Sequence, residues 1–429
     1  MGSRLLWRRS ATALGIYGST VLGILGSLVV FRVLGPTGAG RFSIVIGVTS
    51  FFQLLLELTS DEALVKYGFR YAARQDWGRF HRLVRLMFSF ELAASLLAAA
   101  VVAALAPFAE SIFNGGGELE AAMLLAALLP PLQAVESMAA AAMILRSRYD
   151  LRALFLAFSM ALRLVGIAVG TRYGVTETVV GVLAAQAVTT GAIVAVGRIG
   201  LRRFPAARAA PLGEDARDVL RFVVKSSIGT GLVSLRTWLA PLTLGVVRNA
   251  TEVGWFRGAQ APQLGFAALS SPVRLILLTE QTRDWEGGHP EAVFAGLRRY
   301  VIGSTLLMAL VLAPLEWGMP WLVRFFLKAP FLPVTNAARL ILGAAAIQLI
   351  FGWTKSLPVT IGRPGLRIIA HGVETAVLLP LIVVFGKLWG VTGAGGAVLV
   401  SSVAFALVWT ILLLRLRRQP LPQFEVNPA

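Results

Sequence analysis

The chain has 429 residues; 56% belong to the apolar set AVILMFWYC, only 14% are charged, and the mean hydropathy is +0.74. An ordinary soluble domain carries roughly 25% charged residues, so a secreted or cytosolic enzyme is excluded: without a bilayer the apolar surface could not be hidden. The formal charge of +18 does not indicate nucleic acid, because the basic residues stand singly between apolar runs and build no face with interleaved aromatics.

Twelve windows meet the requirement of about 20 mostly apolar residues for a membrane helix: 11–31, 42–60, 86–106, 120–144, 152–171, 178–197, 222–246, 253–278, 300–320, 338–354, 366–386 and 389–414. Arg4, Arg8 and Arg9 form a basic anchor before the first window. That window is too long for a cleavable signal peptide and lacks an A-x-A-like site. The longest polar stretches are 61–85, 198–221 and 279–299. The apolar stretch 319–337, with Trp321, Phe325, Phe326 and Phe331, is expected in the outer interface.

Cytoplasmic connections of membrane proteins collect Lys and Arg. With the N-terminus inside, alternate connections hold 27 basic residues and the opposite ones eight. Both termini are therefore expected in the cytoplasm, which requires an even number of spans. Cysteine is absent, and His81, His289 and His371 are too scattered for a metal cluster, so no cofactor is expected. No GxxxxGK[ST] loop occurs, so ATP is not expected to act directly.

Six windows precede the basic connection 201–221 and six follow it. Thr37-x-x-Gly40-x-Phe42 reappears, 214 residues later, as Thr251-x-x-Gly254-x-Phe256. Asp76-Trp77 and Asp284-Trp285 occupy matching cytoplasmic connections. Halves with an even number of spans insert the same way round, giving a parallel repeat with a cavity between them. The expected fold is an all-α integral membrane protein of about twelve transmembrane helices. Its two six-helix bundles, 1–200 and 222–429, surround a central cationic cavity and are joined by a basic cytoplasmic linker.

An ionisable group deep in a span costs about 2.5–3.5 kcal/mol and needs protein or water around it. Glu136 and Arg163 both fall roughly 15–17 Å from the cytoplasmic end of neighbouring spans, where a structural ion pair is the simpler reading. Arg236 lies deeper, in a span interrupted by Pro241 and lined on its cytoplasmic half by small polar residues. Lys225 adds a charge near the mouth. Arg257, with Gln260 and Gln263 on its face, and Arg274 sit near the two ends of the eighth span. Either could snorkel to the headgroups. Arg236, Arg257, Lys225, Arg274 and Arg163 are the candidate ligands for an anion. Arginine suits phosphate or pyrophosphate because its planar fork engages two oxygens. Glu57 and Asp61, at i and i+4, either carry a coupling ion or cap a helix end against Lys66 or Arg70. His371 and Glu374 share a face and pose the same choice between H+ or Na+ coupling and structure. Gly15, Gly18, Gly23 and Gly26 would let the first span bend or pack closely.

The stretch Arg32-Val33-Leu34-Gly35-Pro36-Thr37-Gly38-Ala39-Gly40-Arg41-Phe42, then a span ending Glu57-Leu58-Thr59-Ser60-Asp61-Glu62-Ala63-Leu64-Val65-Lys66-Tyr67, resembles the N-terminus of polysaccharide-biosynthesis membrane proteins. These are the Wzx-type flippases of the multidrug/oligosaccharidyl-lipid/polysaccharide exporter superfamily. Arg32, Leu34, Gly35, Gly40 and Phe42 match the family pattern R-x-L-G-x-x-x-x-G-x-[YF]. Thr59-Ser60-Asp61 replaces its usual Asp-x-Gly turn. The resemblance implies two facing six-helix bundles and the flipping of a lipid-linked oligosaccharide, usually on undecaprenyl pyrophosphate. The implied site is a bacterial inner membrane, the implied drive an ion gradient or membrane potential, and glycan polymerases or transferases would be partners beside the membrane lipids. Three rivals stand beside it. A multidrug or small-molecule exporter would, for cations, want acids in its cavity. A membrane-embedded glycan-assembly enzyme would want outer acids or a sizeable outer loop, whereas Glu110, Glu118, Glu120, Glu177, Glu252 and Glu316 are scattered. The third is a scaffold in a glycan-assembly complex.

Overall fold

The computed structural model describes residues 2–56, 60–146, 148–263, 266, 277, 280–281, 283–285, 287–361, 363 and 365–418, with side chains except at 2–12, 225–226, 228–236, 359 and 417–418. Every regular element among them is helical. The main helices are α1 (Gly2–Leu56), α2 (Ser60–Ala73), α3 (Trp77–Leu105), α4 (Leu119–Ala126), α5 (Leu129–Leu145), α6 (Tyr149–Gly170), α7 (Val175–Arg202), α8 (Asp215–Val247), α9 (Ala250–Ala259), α10 (Pro290–Leu327), α11 (Thr335–Ile350) and α12 (Gly365–Arg418).

Among the described residues, eight helical stretches are long and apolar enough to cross a membrane. Two of them, containing α1 and α12, each hold two of the expected spans. In α1 the spans meet at Gly35, whose φ of 67° and ψ of −175° turn the chain. Only glycine visits that region without strain. Pro36 follows at the first position of the new helical segment, where a missing N–H costs nothing. Gly390 (φ 58°, ψ −137°) divides α12 in the same way. The expected span 120–144 is broken between α4 and α5, because Pro130 and Pro131 stand in the opening turn of α5 and withhold two N–H donors. The protein is thus a multi-pass, all-helical membrane protein.

Two polar connections are more ordered than their composition suggested. Residues 60–73 form an amphipathic helix rather than a loop. Its Ser60, Ala63, Leu64, Tyr67, Gly68 and Tyr71 are buried at helical spacing against α3 and α5. Residues 203–214 form a packed strap. Phe204 lies 4.8 Å from the Phe80 ring and 5.8 Å from Trp77, with the Arg146 guanidinium 5.2 Å over it. Leu212 is buried in the same cluster. Ala210 N–H donates to the Gly78 carbonyl at 3.0 Å, and His81 Nε2 meets the Pro205 carbonyl at 2.9 Å. Asp215, opening α8, accepts from the Tyr71 hydroxyl at 3.0 Å and lies 3.6 Å from Arg79.

The chain divides into two compact units, residues 1–245 with 249–254, and residues 246–248 with 255–429. In the first, α6 lies between α1 and α7, while α3 and α7 flank α5. Glycines set these distances. Gly166 on α6 and Gly181 on α7 face each other so closely that a Cβ on either would overlap the other's carbonyl. Gly15 faces the Ala153 carbonyl and Gly26 faces Ile167, whereas Gly18 and Gly23 look onto open space. Helix α8, expected to open the second half, belongs to this unit: Trp238 and Leu242 sit where a Cβ on Gly47 of α1 would point. In the second unit α11 packs on α10 and α12, and Val293, Leu297, Trp353, Phe405 and Trp409 form a buried cluster.

The duplication extends beyond the motif that disclosed it. Asn114 (φ 46°) and Lys328 (φ 72°), left-handed residues that end a helix in their own units, are 214 positions apart. Trp77 and Trp285 each pack against the aromatic cluster of their own unit.

Candidate functional site

The two copies of the T-x-x-G-x-F motif are in contact, and the contact lies wholly within the first unit. Thr37 and Thr251 hydroxyls are 2.8 Å apart. A Cβ on Gly40 would overlap the Ala250 carbonyl, and a Cβ on Gly254 would overlap the Pro36 carbonyl. Pro36, Thr37 and Gly40 thus meet Ala250, Thr251 and Gly254, their own counterparts 214 residues on. Each copy is anchored differently. Arg41 donates to the Gly115 and Gly116 carbonyls and to Glu118 at 2.5, 3.1 and 3.0 Å. In the second copy Asn249 Oδ1 accepts from Glu252 N–H at 3.0 Å, capping α9. Trp255 Nε1 donates to the Pro330 carbonyl at 3.2 Å.

A polar network crosses the interior of the first unit. Gln186 on α7 donates to the Glu136 carboxylate on α5 and to the Thr190 hydroxyl at 3.2 Å, while Gln133 reaches Gln186 Oε1 at 3.5 Å. Thr190 in turn donates to the Leu132 carbonyl at 3.2 Å. The expected Glu136–Arg163 ion pair is not formed among the described residues: Gln186, an uncharged group that charge counting overlooked, meets the Glu136 carboxylate instead. Glutamine and threonine deep in apolar spans were the available signal, since such side chains bond across helices.

The second unit carries its own polar ladder. Arg257 reaches Gln260 at 3.3 Å, one turn along the chain. Gln263 donates to Gln348 on α11 at 3.1 Å, and Gln348 donates to Ser402 on α12 at 3.2 Å. The polar stripe read at 257, 260 and 263 therefore leads into the helix packing. His371 Nδ1 lies 3.1 Å from Glu374 Oε2; Glu374 is fully buried, and the His371 ring stacks on Phe405 at 5.2 Å.

Other candidates are placed only in part. Asp61 lies in the first turn of α2. Its proposed partners Lys66 and Arg70 rest on aromatic rings: Lys66 Nζ is 4.1 Å over Phe222, and Arg70 Cζ is 4.8 Å over Tyr67. Arg236 and Lys225 lie on α8, but their side chains, like Arg274 and Glu57 altogether, are outside the described residues. Among the described residues no group of three His, Cys, Asp or Glu could hold a metal ion.

Residues 8–269, more than half of the chain, match the model of a family described as polysaccharide biosynthesis protein. No curated protein matches the chain. Among solved structures it is similar to the lipid II flippase MurJ in an inward closed conformation, with a TM-score of 0.73 at 11% identity over 95% of this chain and 88% of that one. It is also similar to an inward-facing multidrug resistance MATE family transporter of the MOP superfamily, with a TM-score of 0.71 at 14% identity over 93% and 94%. A third is a MOP superfamily transporter from Pyrococcus furiosus described as having a binding pocket of reverse polarity, with a TM-score of 0.58 at 13% identity over 95% and 93%.

Proposed function

The chain belongs to the polysaccharide biosynthesis protein family, and on that premise we propose that it flips a lipid-linked oligosaccharide, of the undecaprenyl pyrophosphate type, from the cytoplasmic to the outer leaflet of a bacterial inner membrane. The family match over residues 8–269 carries this reading. A fold shared with both a lipid flippase and a multidrug transporter does not choose between them. Five basic residues inside the expected spans, Arg163, Lys225, Arg236, Arg257 and Arg274, favour an anionic cargo over a cationic drug. The duplicated halves, 1–200 and 222–429 about the connector 201–221, would work by alternating access with both termini in the cytoplasm.

Arg236, Arg257 and Lys225 would hold the pyrophosphate, with Arg274 and Arg163 contributing charge. Glu57, Asp61, His371 and Glu374 would be the groups through which an H+ or Na+ gradient acts. The protein would transport without transforming its cargo, handing it to a polymerase or transferase. Leaflet location of the glycan tests this. In cells lacking the protein, inverted and right-side-out vesicles would be probed with a membrane-impermeant glycan-modifying enzyme. Accumulation on the cytoplasmic side, cured by wild-type protein, is expected; normal sidedness with short chains would refute it. Arg236→Ala at normal expression should abolish flipping and Arg236→Lys should keep part of it. Full activity of the alanine variant would remove Arg236 from the site.

A further inference from the structure

We propose that α2 and α8 of the first unit form a site for the phosphate of a lipid headgroup, built from Lys66 and Arg70 on the rings of Tyr67 and Phe222. Lys66 Nζ stands 4.1 Å over the Phe222 ring and 5.5 Å from that of Tyr67. The Arg70 guanidinium lies 4.8 Å over the opposite partner, Tyr67. The two rings meet edge to face at 5.9 Å, and Tyr67 is buried, so the shelf beneath the cations is fixed. Gly68 lets α2 settle onto α5, because a Cβ there would meet Leu145 at 2.9 Å.

Lys66 and Arg70 are supported by aromatic rings, as Arg146 is over Phe204, and not by carboxylates, as three other nearby arginines are. Arg79 is answered by Asp76 and Asp215, Arg148 by Asp150 and Arg221 by Asp218. Among the described residues no carboxylate forms an ion pair with Lys66 or Arg70, although Glu62 lies one turn before Lys66. An aromatic face attracts a cation without cancelling its charge or using its N–H donors. Two such cations at i and i+4 are neighbours on a helix surface, a spacing that a phosphate or pyrophosphate can bridge.

The surroundings select a lipid over a soluble phosphate. Phe69, between the two cations in sequence, is 38% exposed, and Leu220 and Val224 beside Phe222 are 51% and 45% exposed. Exposed apolar side chains beside exposed cations suit the headgroup level, where one part of the surface is apolar and the other wet. Placing the site at the cytoplasmic leaflet rests on the flippase reading and its orientation. The phosphate could come from a bulk anionic phospholipid or from the lipid-linked glycan approaching its transporter.

The test uses the full chain in maltoside detergent, titrated separately with dioctanoyl-phosphatidylglycerol and with farnesyl pyrophosphate, with bound molecules counted by native mass spectrometry. Loss of one charge-assisted contact to a phosphate corresponds to a factor of about 10 to 150, so K66Q/R70Q should bind at least about tenfold more weakly while K66R/R70K stays near wild type. F222L, which removes the shelf and leaves both charges, should lose about threefold and serves if the double variant fails to fold. Weakening for both probes assigns a general headgroup-phosphate site. Weakening for farnesyl pyrophosphate alone assigns the cargo's headgroup, and for phosphatidylglycerol alone bulk lipid; all three support the site. Unchanged binding of both probes in K66Q/R70Q, or in F222L if that is the variant that folds, overturns it. Binding is read without transport, so a chain that binds normally but leaves glycan sidedness unchanged would count against the flippase reading and not against this site.

Discussion

Replacing Gly40 with alanine should loosen the contact between residues 36–40 and 250–254. The contact can be watched directly, because the chain contains no cysteine and Thr37 and Thr251 place their hydroxyls 2.8 Å apart. A T37C/T251C variant therefore puts two sulfurs within reach of each other. It should crosslink quantitatively on mild oxidation. Real Cβ atoms essentially never come within 3.0 Å of such a neighbour, so with the added methyl group in place the two backbones must part by roughly 1 Å, a misfit in the class that costs about 1–3 kcal/mol. Alanine also favours a helix by about 1 kcal/mol over glycine. That gain is common to every arrangement in which the helix persists, so it cancels in the comparison. The contact should weaken by a factor of about 5 to 150, read as a slower crosslinking rate in T37C/G40A/T251C than in T37C/T251C. Gly254→Ala should produce an effect of the same order, because its own Cβ would overlap the Pro36 carbonyl. Crosslinking at the parental rate in both alanine variants would refute the reasoning.

Gly166→Leu should destabilise the first unit by about 1–3 kcal/mol, because its side chain would be driven into the Gly181 backbone. Gly191→Ala, which meets nothing within 4 Å, should be neutral or stabilising by up to about 1 kcal/mol; thermal denaturation in detergent separates the two. Gln186→Leu removes the donor to Glu136 and should cost about 1–3 kcal/mol. Glu136→Gln in that background should recover part of the loss, and failure to recover any would mean that the carboxylate is not what Gln186 satisfies. Phe204→Ala should release the strap, so that trypsin cuts at Arg203 or Arg208 faster than in wild type while the membrane helices stay intact.

The spans that fall on described helices were legible because a run of about 20 apolar residues admits few alternatives once a bilayer is the solvent; most of the expected span 253–278 lies outside the described residues. The motif at Thr37 and Thr251 was legible because glycine and threonine recur at a fixed offset; that the copies touch was not, since an offset carries no distance. Helix α2 escaped notice because Lys66, Arg70 and Arg74 marked its segment as polar, while its buried stripe of Ala63, Leu64, Tyr67 and Tyr71 has helical, not continuous, spacing. The strap escaped for a similar reason: Phe204 and Leu212 are its only large apolar residues, yet they provide its anchorage. At the candidate site, charge counting found Glu136, Arg163, Arg257, His371 and Glu374. It passed over Gln133, Gln186, Thr190, Gln348 and Ser402, which carry no charge but link the helices.

Two identical short chains meeting about a two-fold axis place residue i on j and residue j on i. The contact of Pro36, Thr37 and Gly40 with Ala250, Thr251 and Gly254 has that form inside one polypeptide. In a homodimer, one codon change at the glycine would insert two methyl groups at once. Here it inserts one, and the opposite side keeps its original shape. The flanks already show that freedom. Arg41 binds two carbonyls and a carboxylate where its counterpart Trp255 binds one carbonyl through an indole. Joining the copies in one chain lets the interface become asymmetric one residue at a time.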